Sequence, residues 1–219
     1  MLTVVPTPIG NLQDITLRAI QALRDADLVA AEDTRHSGLL LHHLGIKKPM
    51  VSLHDHNEAS RSASLVEDIA LGKSVALITD AGMPGISDPG FRIIRACRER
   101  GLPMTVLPGP SAVLTALVGS GLPNATFYFG GFLPVKSGQR RNELERAVAR
   151  KETSVYFESP HRLVKTLIVL AEIAPEASLC VARELTKKFE DYRRGQAGEL
   201  LAHYEAHPPK GEITFIIAG

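Results

Sequence analysis

Short β-branched and aliphatic runs alternate with amphipathic stretches through the first half of the chain. Residues 2–5, 28–31, 49–53, 74–79 and 104–107 read as strands, because each is a compact apolar run bounded by polar or turn-forming residues. Between them, residues 16–26, 35–44, 58–71 and 89–100 repeat their apolar positions at helical spacing. Leu17, Ile20 and Leu23 share one face of the first, with Asp14 or Thr16 as its cap. Gly45, Gly72 and Gly101 stand where helices should stop. This βαβα rhythm predicts a largely parallel sheet covered by helices.

The rhythm changes near Gly119-Ser120-Gly121-Leu122-Pro123-Asn124, read here as a linker. Beyond it, strands are expected at 126–130, 154–158, 178–183, 190–196 and 213–217. Helices are expected at about 139–150, 162–173 and 198–206. Consecutive strands in this half predict a mixed or antiparallel sheet. The expectation is two α/β domains, residues 1–118 and 119–219, with a cleft between them.

Composition narrows the possibilities. Hydrophobic residues are 44% of the 219 and charged residues 22%, enough for a substantial core. Lys+Arg (25) nearly balance Asp+Glu (24), so a nucleic-acid partner would have to be met by a local basic patch. The two cysteines, Cys97 and Cys180, lack metal-ligand spacing and suggest no disulfide framework, so a cytoplasmic location is expected. No apolar run approaches the ~20 residues of a membrane helix. The N-terminus lacks the basic start of a signal peptide.

Gly and Pro cluster just after predicted strands. Val5-Pro6-Thr7-Pro8-Ile9-Gly10-Asn11 follows the first. A long loop from Thr79-Asp80-Ala81-Gly82-Met83-Pro84 to Ser87-Asp88-Pro89-Gly90 follows the fourth. Leu107-Pro108-Gly109-Pro110-Ser111-Ala112 follows the fifth. Ligands of open α/β sheets bind outside the carboxyl ends of the strands. Proline stiffens such loops and glycine lets backbone approach a ligand. Neither a P-loop nor a G-x-G-x-x-G fingerprint occurs, which disfavours a nucleoside triphosphate or dinucleotide.

These loops, with Ala31-Glu32-Asp33-Thr34-Arg35, resemble the tetrapyrrole-methylase superfamily. Gly131-Phe132-Leu133-Pro134, Glu158-Ser159-Pro160-His161-Arg162 and Arg183-Glu184-Leu185-Thr186-Lys187 are similar to its ribosomal branch, which methylates a cytidine 2′-hydroxyl of 16S ribosomal RNA. The resemblance runs in order along essentially the whole chain. It implies S-adenosylmethionine bound in the interdomain cleft and a homodimer. It also implies that Pro8, Asp80, Ala81, Gly82, Pro84, Ser111, Tyr128, Gly130, Phe132, Ala182 and Thr214 line the cofactor pocket. Members of the family usually continue beyond the position of Gly219 into a small helical domain.

Methyl transfer from a sulfonium requires in-line alignment of acceptor, methyl carbon and sulfur. A carboxylate can assist by accepting the hydroxyl proton. Position and resemblance point to Glu184, Arg183, Lys187 and Glu158 as the catalytic group. Each also has a plain structural reading: Glu158 as the ion-pair partner of Arg162 at a helix start, and residues 183–188 as a surface charge run. The segment Lys136-Ser137-Gly138-Gln139-Arg140-Arg141 is the expected RNA patch, extended by Arg35, Arg162, Arg193 and Arg194. Asp33 or Thr34 serves equally well as a helix cap. His54-Asp55-His56 has no supporting ligands for a metal site, so no metal is expected. Two alternatives share these residues: a methyltransferase acting on a tetrapyrrole or other small molecule, and a non-catalytic cofactor- or RNA-binding module. The basic segments favour ribosomal RNA or the small ribosomal subunit as the partner.

Overall fold

The computed structural model describes all residues, Met1–Gly219, and divides into two compact units, Met1–Ser111 and Ala112–Gly219. In the first unit β1 (Leu2–Val4), β2 (Leu28–Ala31), β3 (Met50–Ser52), β4 (Val75–Ile78) and β5 (Met104–Val106) form one sheet in the order β3-β2-β4-β1-β5. Every pairing is parallel. Strand β4 is central and buried on both faces, which explains its unbroken Val75-Ala76-Leu77-Ile78 run.

Alternation along β4 divides the core. Ala76 and Ile78 pack with Ala19 and Leu23 of α1 (Leu17–Asp25) and Leu41 of α2 (Thr34–His43). Val75 and Leu77 pack with Leu65 and Ile69 of α3 (Glu58–Ala70) and Ile93 of α4 (Phe91–Glu99). The connections leaving β1 and β2 therefore run over one face and that leaving β4 over the other. The sheet has a topological switch on either side of β4.

The second unit begins with α5 (Ala112–Ser120), then β6 (Phe127–Phe132), α6 (Ser137–Ala149), β7 (Thr153–Glu158), α7 (Pro160–Ile173), β8 (Ser178–Arg183), β9 (Asp191–Gln196), α8 (Ala197–Ala206) and β10 (Ile213–Ile217). Its sheet has the order β6-β7-β10-β8-β9. The β6·β7 pair is parallel and the other three are antiparallel. Ile213, Phe215 and Ile217 bury one face with residues of α6, α7 and α8. The opposite face carries the cross-strand row Phe157, Thr214, Ala182 and Tyr192. Helix α5 lies there: the Tyr192 hydroxyl donates to the Thr115 carbonyl at 3.3 Å.

Helix α5 corrects the linker expected at residues 119–124. Gly119 and Ser120 end a helix rather than joining domains, and the division falls ahead of α5. A Cβ on Gly119 would overlap the Tyr192 ring, so this glycine is a close-packing residue. Ser120 caps the exit, its Oγ donating to Leu117 O and accepting from Leu122 N.

Candidate functional site

Because all five strands of the first sheet are parallel, the loops after them leave at the same edge. They are interlocked. Thr7 and Gly82 exchange both backbone hydrogen bonds, tying the β1 loop to the β4 loop. Gly109 of the β5 loop lies so close to Pro6 that a Cβ would crowd its ring. The Asp80 carboxylate accepts from Asp33 N (3.2 Å), and Asp80 N donates to Glu32 Oε2 (3.4 Å), which joins the β2 loop. Glu58, beyond β3, accepts from Gly90 N (2.9 Å) and Arg92 N (3.0 Å) and so caps α4 across the rim. Gly82 at φ +79 supplies the left-handed backbone that its turn requires.

This rim contains the sequence-predicted Pro8, Asp80, Ala81, Gly82, Pro84 and Ser111. Pro8, Gly82 and Pro84 are buried, Asp80 and Ser111 are partly buried, and Ala81 is exposed. Asp33 is the N-cap of α2, accepting from Arg35 N at 2.8 Å, and its carboxylate also pairs with the Arg35 guanidinium. Arg35 is thus exposed but already ion-paired.

The rim also holds two acids whose importance comes from placement. Burial, together with repulsion from Asp80, raises the Glu32 carboxyl above its usual range against the opposing Asp80 N–H bond. Burial, followed by repulsion from Glu32, pushes Asp88 up to about 7. Neither could be read from spacing, since Glu32, Asp80 and Asp88 meet only after strands β2 and β4 pair.

In the second unit, Glu158 is 2% exposed. Its carboxylate accepts from Ser159 N (2.7 Å), Thr166 Oγ1 (2.7 Å) and Arg162 Nη2 (2.9 Å). Arg162 also donates to Leu133 O at 3.2 Å, fixing the loop after β6. This is a satisfied buried ion pair that orients α7. Glu158 and Arg162, expected at the catalytic and substrate-binding sites, are here committed to one another.

The β8–β9 turn is more open. Glu184 (φ +52) and Thr186 (φ +63) adopt left-handed backbone, uncommon for non-glycine residues and costly for a β-branched one. Glu184 Oε1 accepts from Glu212 N (3.0 Å) and Lys187 Nζ (3.1 Å). Lys187 also pairs with Glu212 at 2.7 Å. The Glu212 N–H bond holds the Glu184 carboxyl below its usual range. Burial pulls the Lys187 ammonium down, but its bonds to Glu212 and Glu184 leave it raised. Glu184 therefore holds Lys187 in place. Arg183 reaches the Lys210 carbonyl at 3.4 Å.

The remaining predicted residues are scattered. Tyr128 meets Tyr156 edge-on and carries the Arg150 guanidinium 3.8 Å above its ring. Gly130 is required by packing, since a Cβ would overlap Tyr156. Phe132 is exposed, with its ring against Phe157. Ala182 and Thr214 are buried in the row facing α5. The residues of the expected RNA patch differ in exposure and pairing. Arg140 is 5% exposed and directs Nη1 toward the Pro134 and Val135 carbonyls. Arg141 is neutralised by Glu145 and Glu172. Lys136 and, in β9, Arg194 remain exposed and belong to no ion pair. No group of His, Cys, Asp and Glu could hold a metal ion.

Residues 1–201 match the family described as Tetrapyrrole (Corrin/Porphyrin) Methylases. The chain is 46% identical over its whole length to "Ribosomal RNA small subunit methyltransferase I" of Escherichia coli O157:H7, covering 77% of that protein. It is 42% identical over its whole length to the protein of the same name from Thermotoga maritima, covering 98% of it. Among solved structures, a diphthine synthase superposes with a TM-score of 0.77 at 18% identity, over 99% of this chain and 89% of that one. That likeness speaks to the fold, and the sequence relationships establish the lineage: the chain belongs to the tetrapyrrole (corrin/porphyrin) methylase family.

Proposed function

We propose that the chain is an S-adenosylmethionine-dependent methyltransferase that modifies the ribose 2′-hydroxyl of a cytidine in 16S ribosomal RNA. The observation that carries this reading is full-length identity of 42–46% to proteins named ribosomal RNA small subunit methyltransferase I. The reading includes a homodimer working in the cytoplasm on the small ribosomal subunit. A tetrapyrrole substrate is not favoured by these relatives.

The chemistry of the first rim suits the cofactor. Asp80, Glu32 and Asp88 crowd acidic groups together, and the nearby Arg35 is already paired with Asp33. Their mutual repulsion favours a ligand bearing cationic sulfonium and ammonium groups. Backbone at Thr7, Gly82 and Pro8 supplies rigid walls. When bound, S-adenosylmethionine supplies an electrophilic methyl group. Asp80 and the backbone of Thr7, Pro8 and Gly82 would hold the cofactor, and the 2′-hydroxyl of the RNA would be the methyl acceptor.

The chain's own contribution is alignment, which can supply several kcal/mol in ideal geometry, up to ~7–11. In this reading Asp80 holds the cofactor. Lys187, kept protonated and anchored by Glu184, engages the RNA, with Arg183 beside it. The test offers methyl-labelled cofactor to small ribosomal subunits and, separately, to a tetrapyrrole precursor. Label in RNA alone is expected. Label in the pigment, or in neither, overturns the reading.

A further inference from the structure

Helix α2 ends in a closed motif. Gly45 N donates to His42 O and Ile46 N donates to Leu41 O, with Gly45 at φ +65. These bonds satisfy the terminal carbonyls in the Schellman pattern. Lys47 and Lys48 follow and are not needed as caps. Together with His42 they border a depression of ≈ 280 Å³ whose remaining wall is Gly38, Leu41, Gly45, Ile46 and Met50. Met50 opens β3, so the depression lies at the strand-start side of the sheet, away from the strand-end loops of the proposed cofactor rim.

Charge makes this place unusual. Residues 34–53 contain Arg35, His36, His42, His43, Lys47 and Lys48 and no Asp or Glu. Elsewhere in the first unit Lys73, Arg92, Arg95 and Arg100 are matched by Asp68, Glu58, Glu99 and Glu67, while Arg18, Arg24, Arg61 and Arg98 stand singly, so the clustering of cations is what sets this segment apart. Neither Lys47 nor Lys48 belongs to any ion pair. Strand β3 is also the outer strand of its sheet, so the cations sit at a free border. A concave, carboxylate-free cationic surface with an apolar floor is complementary to a sugar-phosphate backbone.

We infer that Lys47, Lys48 and His42 form a second nucleic-acid contact that binds phosphates of the substrate RNA remote from the site of methyl transfer. This inference rests on the proposed RNA substrate, and it supplies the basic surface that Arg140 and Arg141 do not.

The test compares the wild-type chain with Lys47→Gln/Lys48→Gln and Lys47→Arg/Lys48→Arg. Binding is measured to protein-free 16S RNA and to small subunits between about 50 and 200 mM salt, alongside cofactor affinity and subunit methylation. Losing two phosphate contacts should reduce the slope of log affinity against log salt by about 1.4–1.8 and weaken binding roughly tenfold. KM for subunits should rise similarly, with kcat and cofactor affinity unchanged and the Arg variant retaining the slope. An unchanged slope and KM in the Gln variant would overturn the inference. So would weaker binding to subunits with unchanged binding to bare RNA, which would assign the patch to a ribosomal protein. If the wild type methylates no RNA, the proposed function fails, while the salt slopes still decide the patch.

Discussion

Thr7 and Gly82 exchange both of their backbone hydrogen bonds, each 3.0 Å long, and so bind the loop after β1 to the loop after β4. The Thr7 hydroxyl adds a third tie to Thr79 O. Gly82→Ala would force an alanine into φ +79, with Ile9 already 3.5 Å from the new methyl. A loss of about 1–2 kcal/mol is expected, measured by denaturant unfolding. Asp80→Ala should in addition weaken cofactor binding in calorimetry, because it removes both a rim charge and the acceptor for Asp33 N. Retained affinity in Asp80→Ala would show that the rim does not hold the cofactor.

Asp88 should leave a signature in the pH dependence of stability. Its carboxyl titrates at about 7 in the folded chain against 3.8 ordinarily. Between those values the folded chain carries a proton that the unfolded chain has released. Stability should therefore fall as pH rises from about 4 to about 7. Partial solvation of Asp88 moderates the size of the effect. Asp88→Asn should flatten this part of a melting-temperature profile, and an unaltered profile would contradict the assignment.

The Glu158–Arg162 pair predicts a stability defect rather than a catalytic one. Glu158→Gln leaves Arg162 largely buried without its counter-charge. Breaking such a pair costs about 3–5 kcal/mol. Chemical denaturation should show that loss, while the folded fraction keeps normal turnover. Normal stability with lost turnover would return Glu158 to the catalytic group.

Lys187 and Glu184 should act together. Lys187→Ala and Glu184→Ala are expected to leave cofactor affinity intact and to lower the methylation rate. The double variant should be little worse than Lys187→Ala, since Glu184 works through the lysine. Additive losses in initial rates would show that the two act independently.

Most of the first unit was legible because its strands are apolar runs and its helices carry one apolar face. The stretch 28–31, read as β2, and the stop at Gly45 both follow from local chemistry. Helix α5 was not legible. Ala112-Val113-Leu114-Thr115-Ala116-Leu117-Val118 is apolar on nearly every side, so it lacks a helical stripe, and its closing Gly119-Ser120 imitates a linker. For the site, strand-end position identified the rim loops around Asp80 and Gly82. It could not separate Arg140, which turns inward to backbone carbonyls, from the exposed Lys136 four residues earlier. Nor could it show that the Glu184 carboxylate is committed to Glu212 N and Lys187, because residues 184 and 212 meet only when β8 pairs with β10.

The most direct measurement is the chemical identity of the product. Small ribosomal subunits lacking the modification are incubated with the chain and methyl-labelled S-adenosylmethionine, and the RNA is digested to nucleosides and resolved by mass spectrometry. Label is expected in 2′-O-methylcytidine from one position in 16S RNA. Label on a base, on ribosomal protein or nowhere in the subunit would contradict it.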